Sequence, residues 1–303
     1  MKNSVYTLSL LLLILILPGL AQAELACAVL SSDIRPYKEA MEGFKQSFNG
    51  KVEEQVLIED LARAGEIMEA IKKSSCNVVV AMGSNALKFL KLREQHKPIV
   101  FAMTLSPATE GLEGRNITGV FLDASPRAAL LSIKRILPSA AKVGVLYSGS
   151  GDGYYMNEAK QAAAGVGITL VAVPSATTGD AIRNVSSVME RSDVLLMIPD
   201  QVTSSEGVFE AMLAASLKRG VPIFALSQKH VSEGALAALS TDYKDNGRQA
   251  AEMANRIASG AAPSSMPYAP ARKSGIVINL KAAKRMGIVI PSQVVAEAVE
   301  VYR

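Results

Sequence analysis

The sequence predicts an α/β protein with two αβα lobes on parallel-type sheets, joined by a hinge that the chain crosses three times. Short apolar runs alternate with helical patterns along nearly the whole chain, as expected of βαβ units. About 280 residues follow an N-terminal export signal, and a single hydrophobic core stops growing near that size. The alternation is also interrupted three times, which favours two lobes over one.

The predicted strands are nearly continuous apolar runs, the pattern of parallel strands that helices cover on both faces. Crossover connections between such strands are right-handed. The runs that fit this pattern are Ala26–Leu30, Val52–Ile58, Asn77–Met82, Ile99–Met103, Thr118–Leu122, Val143–Tyr147, Thr169–Val173, Val194–Ile198, Pro222–Leu226 and Ala235–Leu239.

Helical patterns separate these strands. In the first of them the apolar residues fall on one stripe, as in a helix that packs one face against a sheet. Pro126 stands early in its helix, where its missing N–H costs little. The predicted helices are Tyr37–Phe48, Ala64–Lys73, Asn85–Glu94, Pro126–Leu137, Tyr155–Ala164, Gly179–Glu190, Ser205–Arg219 and Asn246–Ser259.

Three interruptions divide this pattern into lobes. They fall near residues 118–125, at Ser240–Asp242 and in the Pro-rich stretch Ala262–Pro270. The alternative is one doubly wound sheet of ten strands, an uncommon width for an open sheet. The expected domains are a signal peptide of residues 1–23, a first lobe of residues 24–122 plus 242–275, and a second lobe of residues 123–241 plus 276–303.

The N-terminus has the pattern of an export signal. Lys2 supplies the positive charge, Leu8–Leu17 form the apolar region, and Ala21–Ala23 match a small-x-small cleavage site. The apolar run is too short to span a bilayer, which takes about 20 residues. We therefore expect an exported protein cleaved near Ala23, the alternative being an uncleaved anchor.

Composition and charge exclude several function classes. With 49% hydrophobic and 20% charged residues the chain is globular rather than disordered. Loss of Lys2 with the signal lowers the net charge from +4 to +3, too little and too evenly spread for a nucleic-acid partner. The chain also lacks a run of Lys and Arg that would bind a membrane surface.

The two cysteines suggest a disulfide. Cys27 opens the first predicted strand and Cys76 precedes the third, and an exported chain with paired cysteines commonly bridges them. These strands are often neighbours in a doubly wound sheet. We expect a Cys27–Cys76 bridge, the alternative being two buried thiols.

Seven segments follow one another in the order of a known family pattern. They are Met41–Phe44, Val80–Ala86, Pro98–Ala102, Asn116–Val120, Lys142–Tyr147, Gly247–Met253 and Val277–Pro291. Together they resemble the tryptophan/tyrosine-type substrate-binding proteins of ABC transporters. The resemblance implies the type 1 periplasmic-binding fold, in which two lobes enclose a ligand cleft. It also implies a periplasmic, monomeric protein that delivers a small polar ligand to an inner-membrane ABC permease, with amino acids, including aromatic ones, as candidates.

The departures from the family pattern fall in the expected ligand loops. Ser106 stands where the family has the Asp of an Asp-Pro pair. Residues 147–155 replace a Tyr-Asn-Pro turn, and Pro199–Val202 stand where Pro-Thr-Asp-Asn is common. The scaffold is therefore kept while the chemistry of the pocket changes.

Candidate ligand-binding residues follow from the strand ends, because open α/β sheets bind ligands beyond the carboxyl ends of their strands. The loops at these ends are rich in hydroxyl, amide and carboxylate groups that suit a small polar ligand. The candidates are Ser32, Gly83, Ser84, Asn85, Thr104, Ser106, Ser148, Asp152, Tyr154, Tyr155, Asp200, Gln201, Ser227 and Asp242.

Each candidate also has a structural interpretation. Residues 83–85 join a strand to a helix N-terminus, which favours a carboxylate, but Ser84 is equally suited to cap that helix. Asp152 is placed to receive an ammonium group while Tyr154 or Tyr155 stacks on the ligand, unless this Gly-rich loop is only a mobile surface loop. Asp200 and Asp242 precede helices, where capping is the simpler role.

Neither catalytic nor metal chemistry is indicated. The chain has two histidines, His96 and His230, without zinc-ligand spacing, and it has no Gly-x-Ser-x-Gly nucleophile elbow. We therefore expect no enzyme, cofactor or metal, which leaves an exported hydrolase disfavoured. The main alternative to transport is a ligand-sensing subunit that signals to a membrane histidine kinase or chemoreceptor through the same closure of the lobes.

Overall fold

The computed structural model describes residues 24–57, 61–94, 96–105, 114–149 and 153–303, with the side chains of 61–63 and 153–154 excepted. The predicted signal peptide, residues 1–23, lies outside this part of the chain. Within it, every helix is too short or too polar to cross a membrane.

The first sheet is wholly parallel and is formed by five strands from the first 124 residues together with one later strand. Its strands are β1 (Glu24–Leu30), β2 (Gly50–Val56), β3 (Val78–Met82), β4 (Ile99–Thr104), β5 (Ile117–Ala124) and β11 (Ala269–Ala271). Their order is β11-β5-β4-β3-β1-β2, so the carboxyl ends of β1, β3 and β4 lie side by side at one edge.

The second sheet is parallel except for one antiparallel pair. Its strands are β6 (Lys142–Tyr147), β7 (Thr169–Pro174), β8 (Val194–Leu196), β9 (Ile223–Ala225), β10 (Ala237–Thr241), β12 (Ser274–Asn279) and β13 (Glu300–Tyr302). Their order is β13-β12-β10-β9-β8-β6-β7, and β10 pairs antiparallel with β12.

Helices cover both faces of each sheet, and each face has its own cluster of buried side chains. This arrangement explains why the strands read as unbroken apolar runs. The helices are α1 (Arg35–Ser47), α2 (Leu61–Lys73), α3 (Ser84–Arg93), α4 (Pro126–Ile136), α5 (Gly153–Gly165), α6 (Thr178–Glu190), α7 (Glu206–Arg219), α8 (Gln228–Glu233), α9 (Tyr243–Ala258), α10 (Leu280–Arg285) and α11 (Ser292–Glu297), with a 3-10 turn at Pro263–Ser265.

Two glycines allow α1 and α9 to touch backbone to backbone. A Cβ on Gly43 would lie 1.9 Å from the Lys244 carbonyl oxygen, and one on Gly247 would lie 1.8 Å from the Ala40 carbonyl oxygen. A side chain at either position would force the helices apart. These glycines belong to two of the segments that carry the family resemblance, which gives that resemblance a packing reason.

The chain passes between the two sheets three times. It leaves the first sheet after β5, returns after β10 through α9, and leaves again between β11 and β12. At the third passage Arg272 binds Asp245 and Glu252 of α9, each at 2.8 Å. The predicted limits of the two lobes stay a prediction, because strand pairing does not show which parts move as units.

The predicted fold class is confirmed: two separate α/β sheets replace the alternative of one ten-stranded sheet. Each predicted strand and helix overlaps an observed one. The sequence missed β11, β12 and β13, because β11 and β13 are only three residues long and β12 was read as part of a tail motif. It also missed the short helices α8, α10 and α11.

Candidate functional site

A cavity of about 350 Å³ lies where the two sheets meet. The carboxyl ends of β8, β9 and β10 form one side of it, β5 forms another, and Leu105 after β4 also lines it. This is the position that the strand-end rule predicts for a ligand in an α/β protein. The volume is at the small end of the range for ligand pockets, about 300–1,000 Å³.

Apolar side chains make up much of the wall. Phe224 and Leu196 are almost fully buried at the ends of β9 and β8, and Leu122 and Leu239 are half-buried on β5 and β10. These side chains give the cavity an apolar surface against which an aliphatic or aromatic group can pack.

Asp123 is the polar residue of this wall whose interactions are incomplete. It is the penultimate residue of β5, and its Oδ2 atom is buried without a hydrogen-bond partner among the described residues. Burial raises the pKa of this carboxyl group to about 7, against the opposing effect of a hydrogen bond with its own backbone. A carboxylate in such a position costs free energy unless something pairs with it.

Tyr155 of α5 lies beside Asp123. Burial raises the pKa of the Tyr155 hydroxyl, and the negative charge of Asp123 raises it further. The phenol therefore stays protonated, and its ring belongs to the wall of the cavity. Tyr155 was predicted as a ligand-binding residue, and the structure places it at the cavity.

Asp200, also predicted, lines the cavity, but both of its carboxylate oxygens accept hydrogen bonds from residues of two loops. Its Oδ2 accepts hydrogen bonds from the Ser148 backbone N–H at 2.9 Å and from the Ser148 hydroxyl at 2.7 Å. Its Oδ1 accepts from the backbone N–H groups of Val202 and Thr203 at 3.0 and 2.8 Å. Asp200 therefore ties the loops after β6 and β8 together, and the predicted Ser148 acts through it rather than on the cavity wall.

Ser227 and Gln201 complete the predicted residues that line the cavity. The Ser227 hydroxyl caps α8 by accepting from the His230 backbone N–H, and it lies 3.0 Å from His230 Nδ1. The His230 ring packs on Phe209, and burial lowers the pKa of its imidazole. His230 is thus held neutral and fixed in place at the rim.

Side-chain to backbone hydrogen bonds, which the sequence did not reveal, join the chain segments beside the cavity. Thr241 donates a hydrogen bond of 2.5 Å to the Leu122 carbonyl, which joins the first two passages between the sheets. The buried Asn246 donates to the Phe121 carbonyl and accepts from the Met103 N–H. Met103 has a positive φ of 57°, so Asn246 holds a strained backbone at the end of β4.

The other candidates on the first sheet do not line this cavity. Gly83 has a φ of 95° and precedes α3, but it is the Ser31 hydroxyl that accepts from the Ala86 N–H, at 2.9 Å. The prediction that Ser84 caps this helix was therefore wrong, because the cap comes from the neighbouring strand β1. Ser84 and Asn85 begin α3, and Ser32 lies in the loop after β1.

Two further candidates have structural contacts. Thr104 is buried and donates to the Ala102 carbonyl at 3.3 Å. Asp242 caps α9 by accepting from the Asp245 N–H, while its neighbours Thr241 and Tyr243 face the cavity. The remaining predictions, Ser106, Asp152 and the Tyr154 side chain, lie outside the described residues.

Cys27 and Cys76 are buried free thiols in this structure, so the predicted disulfide is not formed in it. Cys27 Sγ donates to the Ser74 hydroxyl at 3.3 Å, and Lys97 Nζ lies 3.6 Å from Cys76 Sγ. The interaction with Cys76 raises the pKa of Cys27, and the interaction with Cys27 lowers the pKa of Cys76 to about 6. The thiols are therefore neighbours, and their bridge stays a prediction.

In the described part of the chain, no group of acidic, His and Cys side chains is arranged to hold a metal ion.

Comparison with solved structures gives the same fold. A conserved domain protein from Vibrio cholerae is 25% identical with a TM-score of 0.60 and covers 92% of this chain and 100% of its own. The ligand-free, open structure of a Clostridium difficile substrate-binding protein with adhesive properties is 20% identical with a TM-score of 0.69. The match covers 92% of this chain and 99% of that protein. An ABC domain from Streptococcus pneumonia in complex with L-Trp is 20% identical with a TM-score of 0.60. The match covers 92% of this chain and 100% of that protein.

Sequence comparison points the same way. A tyrosine-binding protein of Clostridioides difficile is 24% identical over 245 residues, which is 78% of this chain and 70% of the relative. The family model for ABC transporter substrate binding proteins matches residues 38–302, which is nearly all of the described chain. The protein therefore belongs to the ABC transporter substrate binding protein family.

Proposed function

We propose that this protein, once exported to the periplasm, captures a small amino-acid-like molecule in the cavity between its sheets and delivers it to an ABC permease. The observation that carries the proposal is the position of the cavity, at the strand ends of one sheet and against β5 of the other, in a member of a substrate-binding family. Relatives named for tyrosine and crystallised with L-Trp support an amino acid with an apolar side chain.

The cavity supplies the two kinds of surface that such a molecule needs. Leu122, Leu196, Phe224 and Leu239 offer packing for the side chain, and the polar residues Asp123, Tyr155, Gln201 and Ser227 surround it. Of the predicted contacts, we retain Tyr155, Asp200, Gln201 and Ser227 as residues of the site. Loops at residues 31–33 and 83–85 are proposed as the opposing jaw.

Hinge closure is the proposed mechanism. The three passages between the sheets allow one sheet to rotate toward the other, and a ligand that contacts both sheets only in the closed form shifts the equilibrium toward closure. The permease then distinguishes the loaded, closed form from the open one. Thr241 and Asn246 brace the passages on the cavity side, so their contacts set how the chain bends.

A thermal-shift screen followed by calorimetry tests the proposal. A panel of amino acids, peptides, nucleobases and sugars is offered, and a ligand at 100 times its Kd should stabilise the protein by about 2.7 kcal/mol. Ala124→Trp, which fills the cavity, should weaken binding by about 100-fold or more by steric exclusion.

Ala176→Trp is the matched control, because Ala176 is exposed in the loop after β7. It should leave affinity unchanged. If no compound in the panel binds, the proposed function is wrong. If a compound binds equally well to Ala124→Trp, the cavity is not its site.

A further inference from the structure

We propose that the carboxylate of Asp123 receives the protonated amine of the ligand, which defines the substrate class as ammonium compounds with an apolar body. This rests on the proposed function and assigns its central polar contact. From the sequence, the expected partner of an ammonium group was Asp152, a residue outside the described part of the chain.

The state of Asp123 differs from that of Asp200 and Asp245. The other buried side-chain oxygen without a partner in the described residues, Glu24 Oε2, lies at the start of β1 and not at the cavity. Asp200 accepts hydrogen bonds from three backbone N–H groups and one hydroxyl, and Asp245 is paired with Arg272. The Oδ2 atom of Asp123 is buried, although the residue as a whole is half-buried, and it has no such partner in the described structure. A buried acceptor without a donor is rare in native proteins, and the usual explanation is a missing partner.

The protein does not supply a cation for Asp123 at the cavity. Among the described residues that line it, none is Lys or Arg, and the titratable neighbours are Tyr155 on α5, His230 on α8, Tyr243 on α9 and Asp200 after β8. Tyr155 is a phenol that stays protonated, and His230 is held neutral. The positive charge that would stabilise the Asp123 carboxylate therefore has to arrive with the ligand.

The position of Asp123 also suits a ligand anchor. It lies at the end of β5, where the chain leaves the first sheet, and Ser125 two residues later caps α4 of the second sheet through the Ala128 N–H. An ammonium group bound here sits at the hinge, while the apolar body extends toward Phe224 and Leu196 of the second sheet. An anionic ligand without an amine would meet an unfavourable carboxylate instead.

The experiment combines a change in the protein with a change in the ligand. Calorimetry is run on the wild-type protein and on Asp123→Asn with L-tyrosine, L-tryptophan and L-leucine, and with their desamino analogues hydroxyphenylpropionate, indolepropionate and isocaproate. For the amino acid that binds tightest, removing the amine should weaken wild-type binding by about 100-fold, and Asp123→Asn should do the same. In the variant, removing the amine should then cost less than about threefold, since the partner is already gone.

Glu190→Gln is the control for loss of a carboxylate charge, because Glu190 is exposed at the end of α6 and forms an ion pair with Arg219 at 2.7 Å. Its affinities should match the wild type. Equal affinity of Asp123→Asn and wild type for the amino acid, or equal wild-type affinity for the amino acid and its desamino analogue, overturns this inference and leaves the proposed function standing. The ligand comparison needs no variant, so it decides the question even if Asp123→Asn does not fold. Absence of wild-type binding to all amino acids overturns the proposed function and this inference with it.

Discussion

Two parts of the carboxyl edge of the first sheet carry polar residues and use them differently. Where β1 and β3 end, Ser31 and Tyr37 hydrogen-bond each other, and Ser31 also caps α3, so the polar groups satisfy one another. Where β5 ends, beside the cavity, the Oδ2 atom of Asp123 has no hydrogen-bond partner among the described residues. Composition alone does not separate a ligand site from a structural loop, whereas the accounting of hydrogen bonds does.

The two cysteines of the first sheet give the prediction with the largest expected effect on stability. Cys27, in the middle of β1, and Cys76, two residues before β3, are neighbouring thiols on this sheet. Oxidation by a thiol–disulfide oxidant should form the bridge, lower the mass by about two hydrogens and stabilise the protein by roughly 4 kcal/mol, because a loop of about 50 residues is closed. Mass spectrometry and urea unfolding of oxidised and reduced protein measure both effects.

Cys76→Ala is the control, since it removes the bridge and should make stability independent of the oxidant. Two thiols that remain free after oxidation, while the denatured chain oxidises readily, would show that the folded geometry does not permit the bond.

The unpaired state of Asp123 should appear as a pH dependence of stability in the ligand-free protein. Its pKa is raised from 3.8 to about 7 in the folded state, so the folded protein binds the proton more tightly than the unfolded chain. The stabilisation from protonation is complete below about pH 4 and is lost as pH rises toward about 7, a change of roughly 4 kcal/mol. Asp123→Asn removes this titration and should gain stability relative to wild type as pH increases.

Urea unfolding of both proteins at about pH 5 and about pH 8 measures the difference. A constant difference between variant and wild type at the two pH values would mean that Asp123 has an ordinary pKa. Asp123 would then not differ from Asp200 and Asp245, whose carboxylates have hydrogen-bond partners.

Asp200 tests the comparison from within the cavity, because it lines the wall but is satisfied. Asp200→Ala removes the acceptor for the N–H groups of Ser148, Val202 and Thr203 and should lower the free energy of unfolding by about 3 kcal/mol. Asp200→Asn keeps one acceptor oxygen and should lower the free energy of unfolding by less. A loss under about 1 kcal/mol for the alanine variant, measured by urea unfolding, would indicate that its loop finds other partners.

The sequence predicted the scaffold well and the site only in part, for a physical reason. Strands and helices follow from local periodicity, and the rule of strand ends led to Tyr155, Asp200, Gln201 and Ser227, all of which line the cavity. Asp123 was passed over because it was read only as the boundary of a lobe. Its importance depends on what surrounds it in space, and one sequence does not show which donors are missing.

The same limit explains the errors on the first sheet. Ser84 was the natural cap from its position before a helix, but β1 lies next to β3 and brings Ser31 to the N–H of Ala86. Asn246 was read as an ordinary first residue of a helix, although it holds the strained Met103. Both contacts join segments more than 50 residues apart, and local patterns do not record such pairs.

The smallest expected effect lies at the satisfied part of the carboxyl edge of the first sheet. Ser31→Ala removes the cap of α3 and should lower the free energy of unfolding by about 1 kcal/mol, while Ser32→Ala, one residue along the same loop, should change it by less than about 0.5 kcal/mol. Because the Ser31 hydroxyl is already used by the helix, affinity for the amino acid that binds tightest should stay within about threefold in both variants. Urea unfolding and calorimetry on the same samples separate the two effects. A large loss of affinity with unchanged stability in Ser31→Ala would show that the ligand bonds directly to the Ser31 hydroxyl, and the distinction between the two parts of this edge would fail.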